Sequence, residues 1–167
     1  RNRSVVLDGA GKSVWTHDKL TQVELTGPMI QEGNKPGDLL TLIPTPIGTH
    51  AIAICLDLAQ AATSNETALK RVPVRWLWVP SMSASVSAHL AQSRTLCVQR
   101  LITICCANQS QANFGEGIEL GTSTGLSFAW VNEGNSSAAA KPLARDCGEA
   151  SGGKWHVFDL ALEPAAP

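Results

Sequence analysis

The chain has 167 residues, and its 44% apolar fraction is enough to build one sizeable core, so a single domain is expected. Only 16% of residues are charged and the net charge is −1, which excludes attachment to nucleic acid or an anionic membrane through overall charge; any polyanion contact has to be local. No apolar run approaches the roughly 18 residues of a membrane-spanning helix, and the start lacks the apolar centre of a signal peptide.

The chain begins at Arg1 rather than Met, so a preceding segment is expected. Residues 1–12 read as a flexible N-terminal segment and 13–167 as the folded domain. The glycines of "DGAGKS" (8–13) stand too close together for a phosphate-binding loop, which needs four residues between them and an apolar strand before them.

Period-two alternation dominates from there on, broken by Gly, Pro, Asn and Ser clusters, and this predicts an all-β domain. A strand is expected over about 13–26, ending at Gly27-Pro28. Another, "GDLLTLIPTPIG", follows the turn signal at 34–37, and Pro44 and Pro46 place its end at a sheet edge. Residues 49–62, "THAIAICLDLAQAA", fit both periods. Ile52, Ile54, Leu56 and Leu58 alternate, whereas Ile52, Cys55, Leu56 and Ala59 form a helical stripe, and the alanines with a Thr49 cap favour a helix.

In "RVPVRWLWVPSMSASVSAHLAQ" (71–92), Val72, Val74, Trp76 and Trp78 fall on one face of a strand and are expected to fill a sheet's inner side, with Arg75 outward. Pro80 stops the ladder, 81–83 turn, and 84–91 return as the second strand of a hairpin. "TLCVQRLITICC", 117–121, 125–132 and "GKWHVFDLALEP" are read as further strands, separated by a long Gly/Ser/Ala loop at 133–153.

Five cysteines (Cys55, Cys97, Cys105, Cys106, Cys147) form no C-x-x-C pair and have no histidine at zinc-ligand spacing, so no metal or other cofactor is expected. Cys97, Cys105 and Cys106 lie in apolar runs and read as small buried hydrophobes. The glycosylation sequons at Asn2, Asn65, Asn108 and Asn135 carry little weight without a signal peptide. His50, Cys55 and Asp57 form the one local cluster suited to a cysteine nucleophile with a base, although buried structural cysteine is the plainer reading. The four histidines (His17, His50, His89, His156) stand singly. Glu116, Glu119 and Asp38 have no calcium-loop spacing.

Three stretches in order, "KPGDLLTLIPTPIG", "LKRVPVRWLWVPSMSASVSAHLAQS" and "GGKWHVFDLALEPAAP", resemble the jelly-roll coat proteins of small icosahedral positive-strand RNA viruses, chiefly of plants. The resemblance implies an eight-stranded jelly-roll β-sandwich with at most one or two short helices in loops. It further implies a non-enzymatic capsid subunit, made in the host cytoplasm and located in the virion, that assembles with identical subunits around viral RNA and contacts no membrane. In that setting Arg1, Arg3, Lys12 and Lys19 would face the RNA, continuing a basic arm upstream. Arg75, Ser81, Met82, Ser83 and Trp130 would lie at subunit interfaces. Two other functions stay open: a secreted carbohydrate-binding β-sandwich stacking sugars on exposed tryptophans, and a small cysteine hydrolase using Cys55.

Overall fold

The computed structural model describes residues 2–22, 35–59, 69, 71–81, 83, 86–100, 102–108, 112–113, 119–120, 126–130 and 142–146. Arg3–Leu7 (β1), within the segment read as flexible, pairs antiparallel with Ser13–Asp18 (β2). The turn between them is built by Asp8, whose carboxylate accepts the N–H groups of Ala10 and Lys12 at 2.9 Å, and by Gly11, whose φ of 77° is the left-handed conformation glycine tolerates best. Arg3 and Asp18 are cross-strand partners, and the guanidinium donates to both carboxylate oxygens at 2.6 and 2.9 Å.

The remaining strands in chain order are β3 (Leu42–Thr45), β4 (Gly48–Ile52), β5 (Trp76–Ser81), β6 (Thr103–Asn108), β7 (Ala112–Asn113), β8 (Glu119–Leu120), β9 (Leu126–Trp130) and β10 (Pro142–Asp146). The described helices are α1 (Leu56–Ala59) and α2 (Ser87–Arg100). β7 and β8 pair with each other, while the main sheet has six strands in the order β10-β9-β6-β5-β4-β3. β4, β5 and β6 run parallel, and β3, β9 and β10 add antiparallel edges. β3 lies at one edge, where Pro44 and its missing N–H are tolerated.

This arrangement overturns the jelly-roll expectation. A jelly roll pairs its strands antiparallel, whereas the parallel β5–β6 pair needs a crossover, and α2 provides it. The error falls on residues 84–91, expected as a strand because Val86, Ala88 and Leu90 alternate. The side chains that α2 buries are His89, Ser93, Leu96 and Cys97, spaced by four, three and one, which is a helical stripe. Two of them are polar, so apolar periodicity did not reveal it. The segment at 49–62 resolves into both of its options: β4 runs to Ile52 and α1 starts at Leu56. The expected last strand, "GKWHVFDLALEP", lies outside the described residues.

Parallel strands flanked on both sides read as continuous apolar runs, and β5 does. Leu77 and Val79 join Leu96 and Cys97 of α2, Ile104 and Cys106 of β6, and Phe128 and Trp130 of β9 in the core. The other face of β5 carries Trp76, 5% exposed, and Trp78, 41% exposed, so the core lies on the Leu77 and Val79 side and not on the tryptophan side as expected, and of the two tryptophans only Trp76 is buried. Their rings and that of His50 lie nearly parallel with centroids 6.0 to 6.3 Å apart. Trp76 Nε1–H donates to the Ile47 carbonyl and Trp78 Nε1–H to His50 Nδ1, both at 3.0 Å. Gly48, with φ +117°, lets the Arg75 stem cross it; a Cβ there would stand 2.6 Å from Arg75 Cδ.

Leu96 is fully buried where α2 meets the sheet. Leu96→Ala is expected to destabilise the chain by about 2–5 kcal/mol through lost burial and the cavity left behind. Urea unfolding of the two chains, compared at equal slope, measures it.

Candidate functional site

The carboxyl ends of parallel strands are where an open α/β sheet presents its ligands, because the chain leaves the sheet there and turns toward a helix. In this molecule the end of β4 leads to Cys55, the end of β5 to Ser81 and Ser83, and the end of β6 to Asn108. The pairing of β4 with β5 continues past Ile52, since Ala53 N–H donates to the Trp78 carbonyl (3.0 Å) and Cys55 N–H to the Pro80 carbonyl (2.9 Å). Cys55 then adopts φ +50°, the one positive φ outside glycine among the described residues, and its carbonyl accepts the N–H of Leu58 as α1 begins. A strand, a strained cysteine and an immediate helix form a sharp corner of the kind that lifts a nucleophile out of the sheet.

Cys55 Sγ lies 3.2 Å from Ser83 Oγ. Ser83 Oγ is 3.1 Å from Ser81 Oγ, which is 3.4 Å from Nε2 of His89 on α2. Asn108 holds Ser83 by both ends of its amide: Oδ1 accepts the Ser83 N–H at 2.8 Å and Nδ2 donates to the Ser83 carbonyl at 3.1 Å. Burial alone raises the thiols of Cys97 and Cys105 to about 11. Cys106 rises to about 12 through burial first, then through Cys55 and Cys105. These three stay protonated at neutral pH and are poor nucleophiles.

Asp57, two residues after Cys55, is buried, and its carboxylate accepts three backbone N–H groups. Ile54 donates at 3.0 Å, Thr21 at 2.7 Å, and Leu20 to both oxygens at 3.1 and 3.2 Å. The cysteine corner is thereby clamped to the chain just beyond β2, where Lys19 is only 5% exposed. A further link, from Gly37 N–H to the Lys19 carbonyl at 2.8 Å, holds that chain from the other side. His17 Nε2 stands 4.0 Å from the Asp57 carboxylate, beyond hydrogen-bond reach. Its desolvation outweighs the attraction of Asp57 and Asp18 and holds the ring below the usual histidine value, hence neutral at pH 7.

Among the residues singled out from sequence, Arg1 and Met82 lie outside the described residues. Arg3 is engaged by Asp18, Lys12 is exposed in the hairpin turn, and Lys19 is buried beside the Asp57 clamp. Arg75 packs over Gly48, Ser81 and Ser83 belong to the hydroxyl chain at Cys55, and Trp130 is in the core. Of the His50, Cys55 and Asp57 cluster, His50 is turned to Trp78 and to Thr45 Oγ1, each at 3.0 Å, and Asp57 to backbone amides. The residues that the sequence did not connect to Cys55 are Ser83, Ser81, His89 and Asn108. Among the described residues no three His, Cys, Asp or Glu side chains converge as a metal site requires, and no described helix is long and apolar enough to cross a membrane.

Asp57→Ala is expected to leave the buried Ile54 amide and the half-buried Leu20 and Thr21 amides without their acceptor, at about 1–3 kcal/mol each at most, and to release the chain after β2. Limited proteolysis should then cut near residues 19–22, where the parent resists. The histidines make stability pH-dependent. Burial lowers both His17 and His50 from 6.5, so folding favours their neutral forms. Their contribution is complete above about pH 6.5 and is lost as pH falls through the lowered folded-state values. Thermal unfolding should therefore shift down between about pH 7.5 and about pH 5, with a smaller shift in His17→Gln.

No protein-family model matches the sequence, and no curated protein matches it. Solved structures do match in fold. Nit3 of Saccharomyces cerevisiae, from branch 10 of the nitrilase superfamily, is 19% identical with a TM-score of 0.56 over 79% of this chain and 46% of its own. The NitFhit protein of C. elegans is 20% identical with a TM-score of 0.58, over 78% of this chain and 32% of its own. An amidase from Nesterenkonia sp. AN1 is 19% identical with a TM-score of 0.61, over 84% of this chain and 49% of its own. That structure shows covalent addition of the acetamide moiety of fluoroacetamide at the active site cysteine. The chain thus spans about half the length of Nit3 and of the amidase, and a third of NitFhit.

These likenesses overturn the coat-protein resemblance and the expectations that depended on it: a capsid function, the absence of catalysis, a shell of identical subunits around viral RNA, and a virion location. The carbohydrate-binding alternative finds no support either. Over the matched residues the chain has the fold of the nitrilase superfamily.

Proposed function

We propose that this chain contributes the nucleophile-bearing part of a cysteine hydrolase acting on small carboxamides. The observation that carries the proposal is the cysteine corner itself. Cys55 sits at positive φ at the carboxyl end of a parallel strand, with a hydroxyl at its sulfur and a buried lysine's chain clamped beside it. A solved structure of the same fold has its active-site cysteine alkylated by an amide reagent.

The chemistry is acyl transfer in two steps. Cys55 Sγ, as thiolate, attacks the amide carbonyl carbon; the C–N bond breaks, the nitrogen leaves as ammonia or amine after taking a proton, and a thioester forms. Water then adds to the thioester carbonyl, the C–S bond breaks, and the carboxylic acid leaves with the thiol regenerated. Lys19 is the group proposed to favour the thiolate and to hold the proton the leaving nitrogen needs. Its place on the clamped segment supports that role.

Fluoroacetamide should modify Cys55 selectively, as read by peptide mass spectrometry of the 167-residue chain. Ammonia release from butyramide should fall about 10³-fold or more in Cys55→Ala. Undiminished turnover in that variant, or labelling elsewhere with Cys55 untouched, would sink the proposal.

A further inference from the structure

We propose that His89 is a positioning residue for Cys55, acting on its sulfur through the hydroxyls of Ser81 and Ser83; this rests on Cys55 being the nucleophile. The links are Cys55 Sγ to Ser83 Oγ (3.2 Å), Ser83 Oγ to Ser81 Oγ (3.1 Å) and Ser81 Oγ to His89 Nε2 (3.4 Å). His89 is 3% exposed, and its Nδ1 is buried with no hydrogen-bond partner among the described residues.

That orphan nitrogen sets the polarity of the chain. A buried N–H without an acceptor is rarer than a buried lone pair without a donor, so the ring proton sits on Nε2 and Nδ1 is bare. Nε2–H then donates to Ser81 Oγ, the Ser81 hydroxyl donates to Ser83 Oγ, and the Ser83 hydroxyl is left to donate to Cys55 Sγ. A donor at the sulfur favours the thiolate over the thiol, which needs an acceptor. Each bond polarises the next, so fixing the far end at a buried ring fixes the direction at the near end.

The frame is rigid. Ser81 closes β5 in its pairing with β6, where it lies opposite Asn108, and Asn108 grips Ser83 at both its N–H and its carbonyl. His89 stands in the first turn of the helix that links the same two strands. The other ionisable groups near the cysteine corner are Asp57, whose carboxylate is held by backbone amides, and Cys106 of β6, whose thiol is influenced by Cys55. None of them is bonded to His89 among the described residues, so they act alike in every His89 variant.

The test is the pH dependence of iodoacetamide alkylation at Cys55, resolved from the other thiols by peptide mass spectrometry, on chains whose circular dichroism is unchanged. Ser83→Ala should raise the midpoint and slow alkylation about tenfold at neutral pH. Ser81→Ala and His89→Leu should move the midpoint in the same direction, and neither should add to Ser83→Ala when combined with it. His89→Gln, whose amide N–H can still donate to Ser81, should restore the parent midpoint.

An unmoved midpoint in Ser83→Ala overturns the proposal, as does failure of Gln to rescue, which would leave His89 a packing role. If His89→Leu does not fold, Ser81→Ala breaks the same link without touching the helix. Shifted midpoints in a chain that hydrolyses no amide overturn the hydrolase proposal and leave the relay standing; amide turnover with unmoved midpoints does the reverse.

Discussion

The parallel pairing of β4, β5 and β6 is the constraint on which the rest of this structure depends. Three strands running the same way bring their carboxyl ends to one side of the sheet, and so three segments distant in sequence deliver Cys55, Ser81 with Ser83, and Asn108 to one place. An antiparallel order would have sent the middle segment to the opposite edge. The helix required to reverse the chain between β5 and β6 then brings His89 to the serines and Leu96 to the core, so one crossover serves both stability and the site.

The site combines two kinds of polar anchoring. Asp57 satisfies backbone donors from both sides of a seam, tying the chain after β2 to the cysteine corner, and it is fully occupied in doing so. The serine chain is side chain to side chain, with orientation supplied by Asn108 and by a buried imidazole. The first fixes where the nucleophile is, and the second bears on what its sulfur sees. Burial raises the thiols of Cys97, Cys105 and Cys106 and so leaves these three protonated at neutral pH.

How much of this was legible in the sequence depended on whether the signal was apolar. The Pro44 edge, the strand character of 76–79 and the buried nature of Cys97 and Cys106 follow from side-chain type and are where the sequence places them, whereas β5 runs on through Pro80 to Ser81, past the expected stop, and Cys105 is half-buried. Strand direction leaves no mark in a strand's own alternation, so mixed and antiparallel sheets look alike until a helix is recognised between strands. That helix was hidden because His89 and Ser93 hold two of its four buried positions. Local spacing groups Cys55 with His50 and Asp57 inside seven residues, whereas Ser83 lies 28 residues after Cys55 and the Leu20 and Thr21 amides lie 37 and 36 residues before Asp57. Contacts at such separations are set by topology, not by local spacing.

The reach of the Asp57 clamp also bears on how the molecule comes together. The β1–β2 hairpin closes over a short loop, with its turn held by Asp8 and Gly11, so its pairing is local. Its attachment to the cysteine corner spans 37 residues and depends on the carboxylate of Asp57 in α1. The corner that carries Cys55 is therefore secured by contacts that only the assembled chain can make, and a change in the hairpin's seat reaches the thiol's surroundings through Asp57.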